Sequence, residues 1–196
     1  MQSRNPDTQA HILAIGRRLT AKSGYAGVGL SELLKVAGVP KGSFYHYFPS
    51  KEAYGVALLR EFANDYQDKL SKTLEHPGKD ARSRLIAYFT QWRKQQTSDV
   101  LEERCLVVKL SAEVADLSPE MSRVLEQSVQ SIVSHLAATL REGVADGSIG
   151  EHENSRELAA TIYHLWLGAS LVAGLSNSNA ALTSALRTTK SLIPAN

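Results

Sequence analysis

The sequence predicts an all-α protein of about nine helices, and three observations lead to this prediction. Apolar residues recur at helical spacing along most of the 196 residues. The sequence shows no convincing strand pattern and no internal repeat. Its hydrophobic content of 43% and charged content of 21% are typical of a folded soluble chain with a sizeable core. We expect two parts, a small helical domain over residues 1–50 and a larger helical body over residues 51–196.

The first helix is predicted between Asp7 and about Ser23. Asp7 or Thr8 can cap its amino end, because a short polar side chain accepts a hydrogen bond from a backbone N–H there. The inward side chains would be Ile12, Leu13, Ile15 and Leu19. A flexible turn follows, marked by Gly24, Gly27 and Gly29.

Two short helices around a glycine come next. The first has apolar residues at i, i+3, i+4 and i+7, namely Leu30, Leu33, Leu34 and Ala37. Gly38 can take the left-handed conformation of a tight turn, and Pro40 suits the first position of the next helix because it has no N–H. Phe44 and Phe48, one turn apart, would anchor that helix to a core. This arrangement predicts a helix-turn-helix, whose second helix enters the DNA major groove.

Longer helices follow. Ser50 caps a fourth helix that stops at Pro77-Gly78, and a fifth carries Leu85, Tyr88, Phe89 and Trp92 at helical spacing. Residues 97–104 are predicted to form a polar loop. The stretch 105–115 is ambiguous: Leu106-Val107-Val108 could open a strand, whereas apolar residues repeated every four positions favour a helix.

Three more helices complete the chain. Ser118-Pro119 opens a long one that ends near Gly147. Its inward residues would be Leu125, Ile132, Leu136 and Leu140. Asn154 or Ser155 begins a helix that has no Asp, Glu, Lys or Arg from Leu158 to Leu175, the uncharged helix, and a last helix spans Ala180 to Ile193.

Charge is unevenly distributed along the chain. Residues 1–51 contain seven Lys or Arg against two acidic residues, a net charge of +5, whereas the remainder carries 15 against 18, a net charge of −3. A basic amino-terminal part followed by an acidic remainder suggests that residues 1–51 bind a polyanion. Ordinary scatter of surface charge is the alternative.

The stretch GVPKGSFYHYFPSKEA, from Gly38 to Ala53, strongly resembles the DNA-binding signature of the TetR/AcrR repressors, and this resemblance runs from about Thr8 to Ala57. Farther on, CLVVKLSAEVADLS and LWLGASL resemble the ligand-domain segments of one branch, the electrophile-responsive repressors of N-ethylmaleimide reductase. The resemblance implies an all-helical repressor, helical also at 105–115, with a helix-turn-helix DNA-binding domain over residues 1–50 and a ligand-binding and dimerising body over residues 51–196. It would bind palindromic operator DNA as a dimer and respond to a small-molecule inducer.

Candidate DNA contacts lie in and around the helix-turn-helix. Lys41 and Lys51 can neutralise phosphates, Gly42 lets the backbone approach the duplex, and Lys41 or Ser43 could reach a base edge. The family resemblance adds phosphate bonds from other polar residues. The complete set is Ser31, Lys41, Gly42, Ser43, Tyr45, His46 and Lys51. The alternative is that the aromatic residues merely pack and the basic ones are solvated.

One such domain reads only a few base pairs, so tight binding needs two domains on neighbouring half-sites. The resembling family forms its dimer through the helices that correspond to the uncharged helix and the last one. The interface candidates are Leu165, Gly168, Ala169, Val172, Leu182 and Leu186. The alternative is that both helices are internal to a monomer.

Cys105 is the candidate sensor. A thiol at a helix amino end, beside Arg104 and one turn before Lys109, would sit in positive potential that favours thiolate. Thiolates react with electrophiles such as quinones, enones and aldehydes. The branch resemblance places its sensing cysteine here, although the segment after LWLGASL offers Gly174 and no lysine as a second cationic partner. Alternatively, Cys105 is a small buried apolar residue without a role.

A reversible ligand pocket is a rival interpretation. Aromatic residues of the body could line a cavity, with His164 as the polar group that orients a guest. The candidates are Phe62, Tyr66, Tyr88, Trp92, His164 and Trp166. An aromatic stripe at helical spacing can equally be core.

Other functional classes find little support in the sequence. One cysteine excludes an intramolecular disulfide, and no signal peptide is recognisable, so we expect a cytoplasmic protein. The uncharged helix is short for a membrane span, so we expect a buried or interface helix. His152 lacks a second histidine at metal-ligand spacing, and no phosphate-binding loop or nucleophile elbow is present, so we expect no metal, cofactor or enzymatic activity. A small-molecule binding protein without DNA activity is the remaining alternative.

Overall fold

The computed structural model describes residues 6–98, 100 and 104–196. In this part of the chain there are nine α-helices and no strand, so the predicted all-α class is confirmed. The helices are α1 (Pro6–Ser23), α2 (Leu30–Ala37), α3 (Lys41–Tyr47), α4 (Lys51–Leu74), α5 (Ala81–Gln96), α6 (Leu106–Leu117), α7 (Pro119–Ala145), α8 (Ser155–Ser176) and α9 (Ala180–Leu192).

The chain divides into two compact units. The first comprises the described parts of Met1–Asn64 and Asp99–Glu126, and the second comprises Asp65–Ser98 and Gln127–Asn196. The division falls within α4 and within α7, so each of these helices contributes to both units. The first unit contains α1, α2, α3 and α6, which means that it extends beyond the predicted domain of residues 1–50. That domain boundary stays a prediction.

The turn of the helix-turn-helix forms as predicted, whereas the starts of α3 and α1 differ from the prediction. Gly38 ends α2 in the left-handed conformation, with φ 65°, and its N–H bonds to carbonyls of the last turn. Pro40 precedes α3 as its N-cap with ψ 147°, so it is not the first helical residue. Likewise α1 begins at Pro6, which places Asp7 inside the first turn and corrects the expected cap at Asp7 or Thr8.

Two predicted helix caps, Ser50 and Ser118, are confirmed, and Asn154 caps the helix that was predicted to begin at Asn154 or Ser155. Ser50 Oγ accepts the Ala53 N–H at 3.0 Å at the start of α4, and Ser118 Oγ accepts the Met121 N–H at 3.2 Å at the start of α7. The Asn154 side chain accepts the N–H groups of Arg156 and Glu157 at the start of α8. Each bond satisfies a backbone donor that has no partner within its own helix.

In the second unit, α8 packs on α9 and α9 packs on α5. The core of this unit is rich in buried aromatic side chains, namely Tyr88, Phe89, Trp92, Tyr163 and Trp166. Among the described helices, only α8 is long and apolar enough to cross a membrane by length and composition, a test that core helices of soluble proteins also pass.

Candidate DNA-binding surface, sensor cysteine and dimer face

A cluster of three buried rings holds α3 in the first unit. Phe44 is fully buried, and its ring centroid lies 5.2 Å from that of Phe48 and 5.6 Å from that of Tyr54. Aromatic pairs at such distances stabilise a fold beyond the area that they bury. Because Phe44 and Phe48 lie on one side of α3, the other side of the helix is left facing outward.

The predicted DNA-contact residues occupy that outward side and its surroundings. Ser31, Lys41, Gly42, Tyr45 and His46 are exposed, whereas Ser43 and Lys51 are half-buried. A Cβ built on Gly42 would have no atom within 4 Å, so nothing in the fold itself requires glycine at this position.

Lys51 is held in place by Tyr25. Its Nζ lies 5.2 Å from the ring centroid of Tyr25, and the Tyr25 hydroxyl donates to the Lys51 carbonyl oxygen at 2.7 Å. Burial, with the charge of Glu52 as a second cause, raises the pKa of Tyr25 to about 12. Tyr25 is therefore a neutral hydrogen-bond donor at physiological pH, and it fixes the start of α4.

Sequence reasoning missed both Tyr25 and Tyr54. Tyr54 is buried, and burial is the main cause that raises its pKa. A Cβ on Gly16 would lie only 1.6 Å from the Tyr54 hydroxyl oxygen, so α1 and α4 can approach here only because residue 16 is glycine. An isolated glycine inside a helical pattern is a sign of such a close approach.

Cys105 is the N-cap of α6, as expected, but its environment is not the one expected. Its side chain is buried. Burial is the largest influence and raises the pKa of the thiol, while hydrogen bonds with the N–H groups of Val108 and Val107 act in the opposite direction. The prediction of a thiolate-favouring site is therefore wrong in direction, because loss of hydration outweighs the helix end. Lys109 is exposed and Arg104 is half-buried.

The predicted aromatic pocket residues fall into different parts of the structure. Phe62 belongs to the first unit, where the Arg17 guanidinium carbon lies 5.2 Å from its ring centroid. Tyr66, Tyr88, Trp92 and Trp166 belong to the second unit. His164 is exposed, which corrects its predicted role as the polar group inside a cavity.

The polar atoms of this aromatic group bond within the unit. Trp92 Nε1–H donates to Ser170 Oγ at 3.0 Å, Trp166 Nε1–H donates to Thr189 Oγ1 at 2.9 Å, and the Tyr66 and Tyr88 hydroxyls are 2.8 Å apart. A nearby crevice lined by apolar residues such as Leu85 and Leu136 has no volume open even to a molecule the size of water. In this conformation the aromatic group is therefore core, and the ligand pocket stays a prediction.

The candidate interface residues divide into exposed and buried ones. Gly168 and Val172 are exposed on α8, and Leu165 is half-buried. By contrast, Ala169, Leu182 and Leu186 are buried within the single chain, Leu182 completely, so these three have little apolar surface to offer a partner. Leu171 and Leu175, which were not among the predicted interface residues, are 55% and 80% exposed on the same helix.

No group of three or more His, Cys, Asp or Glu side chains within the described residues is arranged to hold a metal ion. Two carboxylates do have structural partners that the sequence did not indicate. Glu113 accepts the Ala26 N–H, and Glu52 accepts the Ser118 hydroxyl, both within the first unit. These pairs are 87 and 66 residues apart in the chain, so no local pattern could have predicted them.

Two family models match the chain. The model described as bacterial regulatory proteins, tetR family, matches residues 12–54, and the tetracyclin repressor-like C-terminal domain matches residues 81–189. The first match covers most of the described helix-turn-helix, and the second covers α5 to most of α9.

Relatives of known function match along nearly the whole chain. The HTH-type transcriptional repressor NemR of Escherichia coli K12 is 41% identical over 95% of this chain and 94% of its own. The repressor DhaR of Mycobacterium sp. strain GP1 is 32% identical over 86% of this chain and 83% of its own. The crystal structure of reduced E. coli NemR superimposes with a TM-score of 0.92 at 40% identity, covering 97% of this chain and 98% of that one. The chain therefore belongs to the TetR family of transcriptional regulators and carries the DNA-binding domain of that family at its amino end.

Proposed function

We propose that this TetR-family repressor binds a palindromic operator in the cytoplasm as a homodimer, and that a small molecule or electrophile acting on the body releases it. The main observation in support of the proposal is that the side of α3 opposite the buried rings is exposed. Buried Phe44 and Phe48 hold the helix so that Lys41, Gly42 and Tyr45 remain exposed. The 41% identity to a transcriptional repressor supports the same conclusion.

The exposed residues have distinct proposed roles on DNA. Lys41 and Lys51 neutralise phosphates, and the resemblance to the family assigns phosphate hydrogen bonds to Ser31, Tyr45 and His46. The open space around Gly42 supports its proposed role, in which the α3 backbone approaches the duplex closely. Lys41 or Ser43 then reaches a base edge in the major groove.

Replacing Lys41 with alanine should weaken operator binding and reduce its dependence on salt. A dimer would lose two phosphate contacts, so the slope of log affinity against log salt concentration should become shallower by about two. The measurement is a fluorescence titration of an operator duplex, selected from a random pool, at several salt concentrations. Lys69→Ala removes the same charge from an exposed position on α4 and should leave the slope unchanged. An unchanged slope in Lys41→Ala would remove Lys41 from the DNA contacts.

Cys105 is the proposed point of attack for an electrophile. A thiolate sulfur adds to the alkene carbon of N-ethylmaleimide, and the resulting carbanion takes a proton from water. Burial keeps the Cys105 thiol protonated, so the reaction proceeds through open conformations of the α6 N-terminus. A relative with 40% identity has been crystallised in a reduced form, which supports a thiol-based signal in this branch of the family.

Treatment with N-ethylmaleimide or methylglyoxal should release operator DNA from the wild type and not from Cys105→Ser. Because burial raises the pKa of the thiol, the rate of adduct formation should rise about tenfold per pH unit from pH 7 to 9. A thiol with a depressed pKa would instead reach a plateau in this range. Intact mass spectrometry follows the adduct, and fluorescence anisotropy follows the DNA. Equal release in both proteins would rule out Cys105 and favour a reversible ligand.

A further inference from the structure

Helix α6 makes a direct hydrogen bond to the loop that joins α1 and α2. Glu113, on α6, accepts the Ala26 backbone N–H through Oε2 at 3.0 Å. Hydrogen bonds to a charged acceptor are roughly twice as strong as those between neutral groups. Both residues belong to the first unit, so this contact joins α6, whose N-cap is Cys105, to the loop that leads into the helix-turn-helix.

The loop is shaped around this carboxylate. Gly24 has a φ of +75°, and a Cβ on it would lie 2.2 Å from Glu113 Oε1. The backbone conformation of residue 24 favours glycine, and a side chain there would also displace the Glu113 carboxylate from its position at the loop. The loop then turns through the bond from the Val28 N–H to the Tyr25 carbonyl and ends at Gly29, the N-cap of α2.

We propose that Glu113 is the residue through which α6 positions the α1–α2 loop, and with it the first helix of the DNA-reading pair. Glu113 follows Cys105 by eight residues, a rise of about 12 Å along a continuous helix. A displacement of the α6 N-terminus by an adduct is carried along the helix to the carboxylate, and the Ala26 bond passes it to the loop. The proposal rests on the proposed electrophile signal at Cys105. It names the contact through which that signal passes from α6 to the α1–α2 loop.

Two neighbouring contacts in the same unit provide a comparison. The Ser118 hydroxyl donates to Glu52 Oε1 at 2.5 Å, and Arg60 pairs with Glu120 at 3.1 Å. Both join the start of α7 to α4 and leave the α1–α2 loop untouched. Glu120 is thus a matched control, since it is a carboxylate on a neighbouring element with a partner elsewhere in the unit.

The test compares how strongly N-ethylmaleimide raises the operator Kd in the wild type, Glu113→Ala, Glu113→Gln and Glu120→Ala. Coupling between two sites typically changes affinity about 5- to 150-fold. We expect a wild-type change in this range, a change below about threefold in Glu113→Ala, and near wild-type behaviour in Glu113→Gln, whose amide oxygen still accepts the Ala26 N–H. Glu120→Ala should respond as the wild type does. Intact mass should show the same adduct at Cys105 in all four proteins.

A wild-type-sized response in Glu113→Ala, with its adduct formed, would overturn the proposed path while leaving the sensing role of Cys105 intact. A wild type that forms the adduct and keeps its operator affinity would overturn the sensing role itself, and the path with it. Hydrogen exchange provides a second readout. The Ala26 amide should exchange faster in Glu113→Ala than in the wild type, and alkylation of the wild type should also accelerate it. Unchanged Ala26 exchange after alkylation would contradict the path independently of DNA binding.

Discussion

Replacing Leu175 with glutamate should separate the proposed dimer into monomers and abolish tight operator binding. Leu175 is 80% exposed in the single chain, and Leu171, one turn earlier, is 55% exposed. Burying a leucine side chain contributes about 1.5–3 kcal/mol, and a two-fold symmetric interface contains each residue twice. The loss of about 3–6 kcal/mol corresponds to a rise of about 10²- to 10⁴-fold in the dimer dissociation constant.

Sedimentation of the purified protein would measure this change, and titration of a palindromic duplex and of a single half-site would measure its effect on DNA binding. The variant should bind both duplexes with similar weak affinity. Leu117→Glu is the control, since Leu117 is 53% exposed on α6 in the first unit and the change of side chain is the same. A Leu175→Glu protein that remains dimeric would exclude this face of α8 from the interface.

Replacing Phe44 with alanine should unfold α3 and remove operator binding. Such truncations of a buried phenylalanine cost about 3–5 kcal/mol, a large part of the about 5–15 kcal/mol that stabilises a typical domain. The seven residues of α3 cannot form a stable helix alone, because isolated helices shorter than about 12 residues are marginal in water. The ring contacts with Phe48 and Tyr54 are therefore what keeps α3 folded.

Hydrogen exchange of the α3 amides and thermal unfolding would measure the effect. Phe89→Ala is the matched control, because it truncates an equally buried ring in the second unit. It should lower thermal stability while leaving the α3 amides more protected than in Phe44→Ala. Retained α3 protection and operator affinity in Phe44→Ala would show that the ring cluster is dispensable.

Much of the fold and the centre of the DNA-binding surface could be predicted from local patterns. The left-handed Gly38 and the caps at Ser50 and Ser118 were all correctly predicted. These features depend on hydrogen bonds between residues a few positions apart, and apolar spacing reports directly which side of a helix is buried. Errors at this level were shifts of one to a few residues, as at Pro40 and at the start of α1.

The candidate sensor and the dimer face were harder to predict. Proximity of Cys105 to cationic residues in the sequence suggested a thiolate, yet packing buries the sulfur and raises its pKa. The family resemblance placed Leu182 of α9 in the candidate interface, yet Leu182 is buried within its own chain. Apolar periodicity shows which side of a helix must be buried. It does not distinguish burial within the same chain from burial against a partner chain.

The sequence by itself determined the helical class, the order of the helices and the family, because each depends on short patterns or on a long run of matching residues. The tertiary structure alone decided that Glu113 accepts the Ala26 N–H, that Tyr54 needs Gly16, and that His164 is exposed. The physical reason is distance along the chain. A bond between residues 87 positions apart exists only after several helices have packed, and no periodicity encodes which side chains that packing brings together.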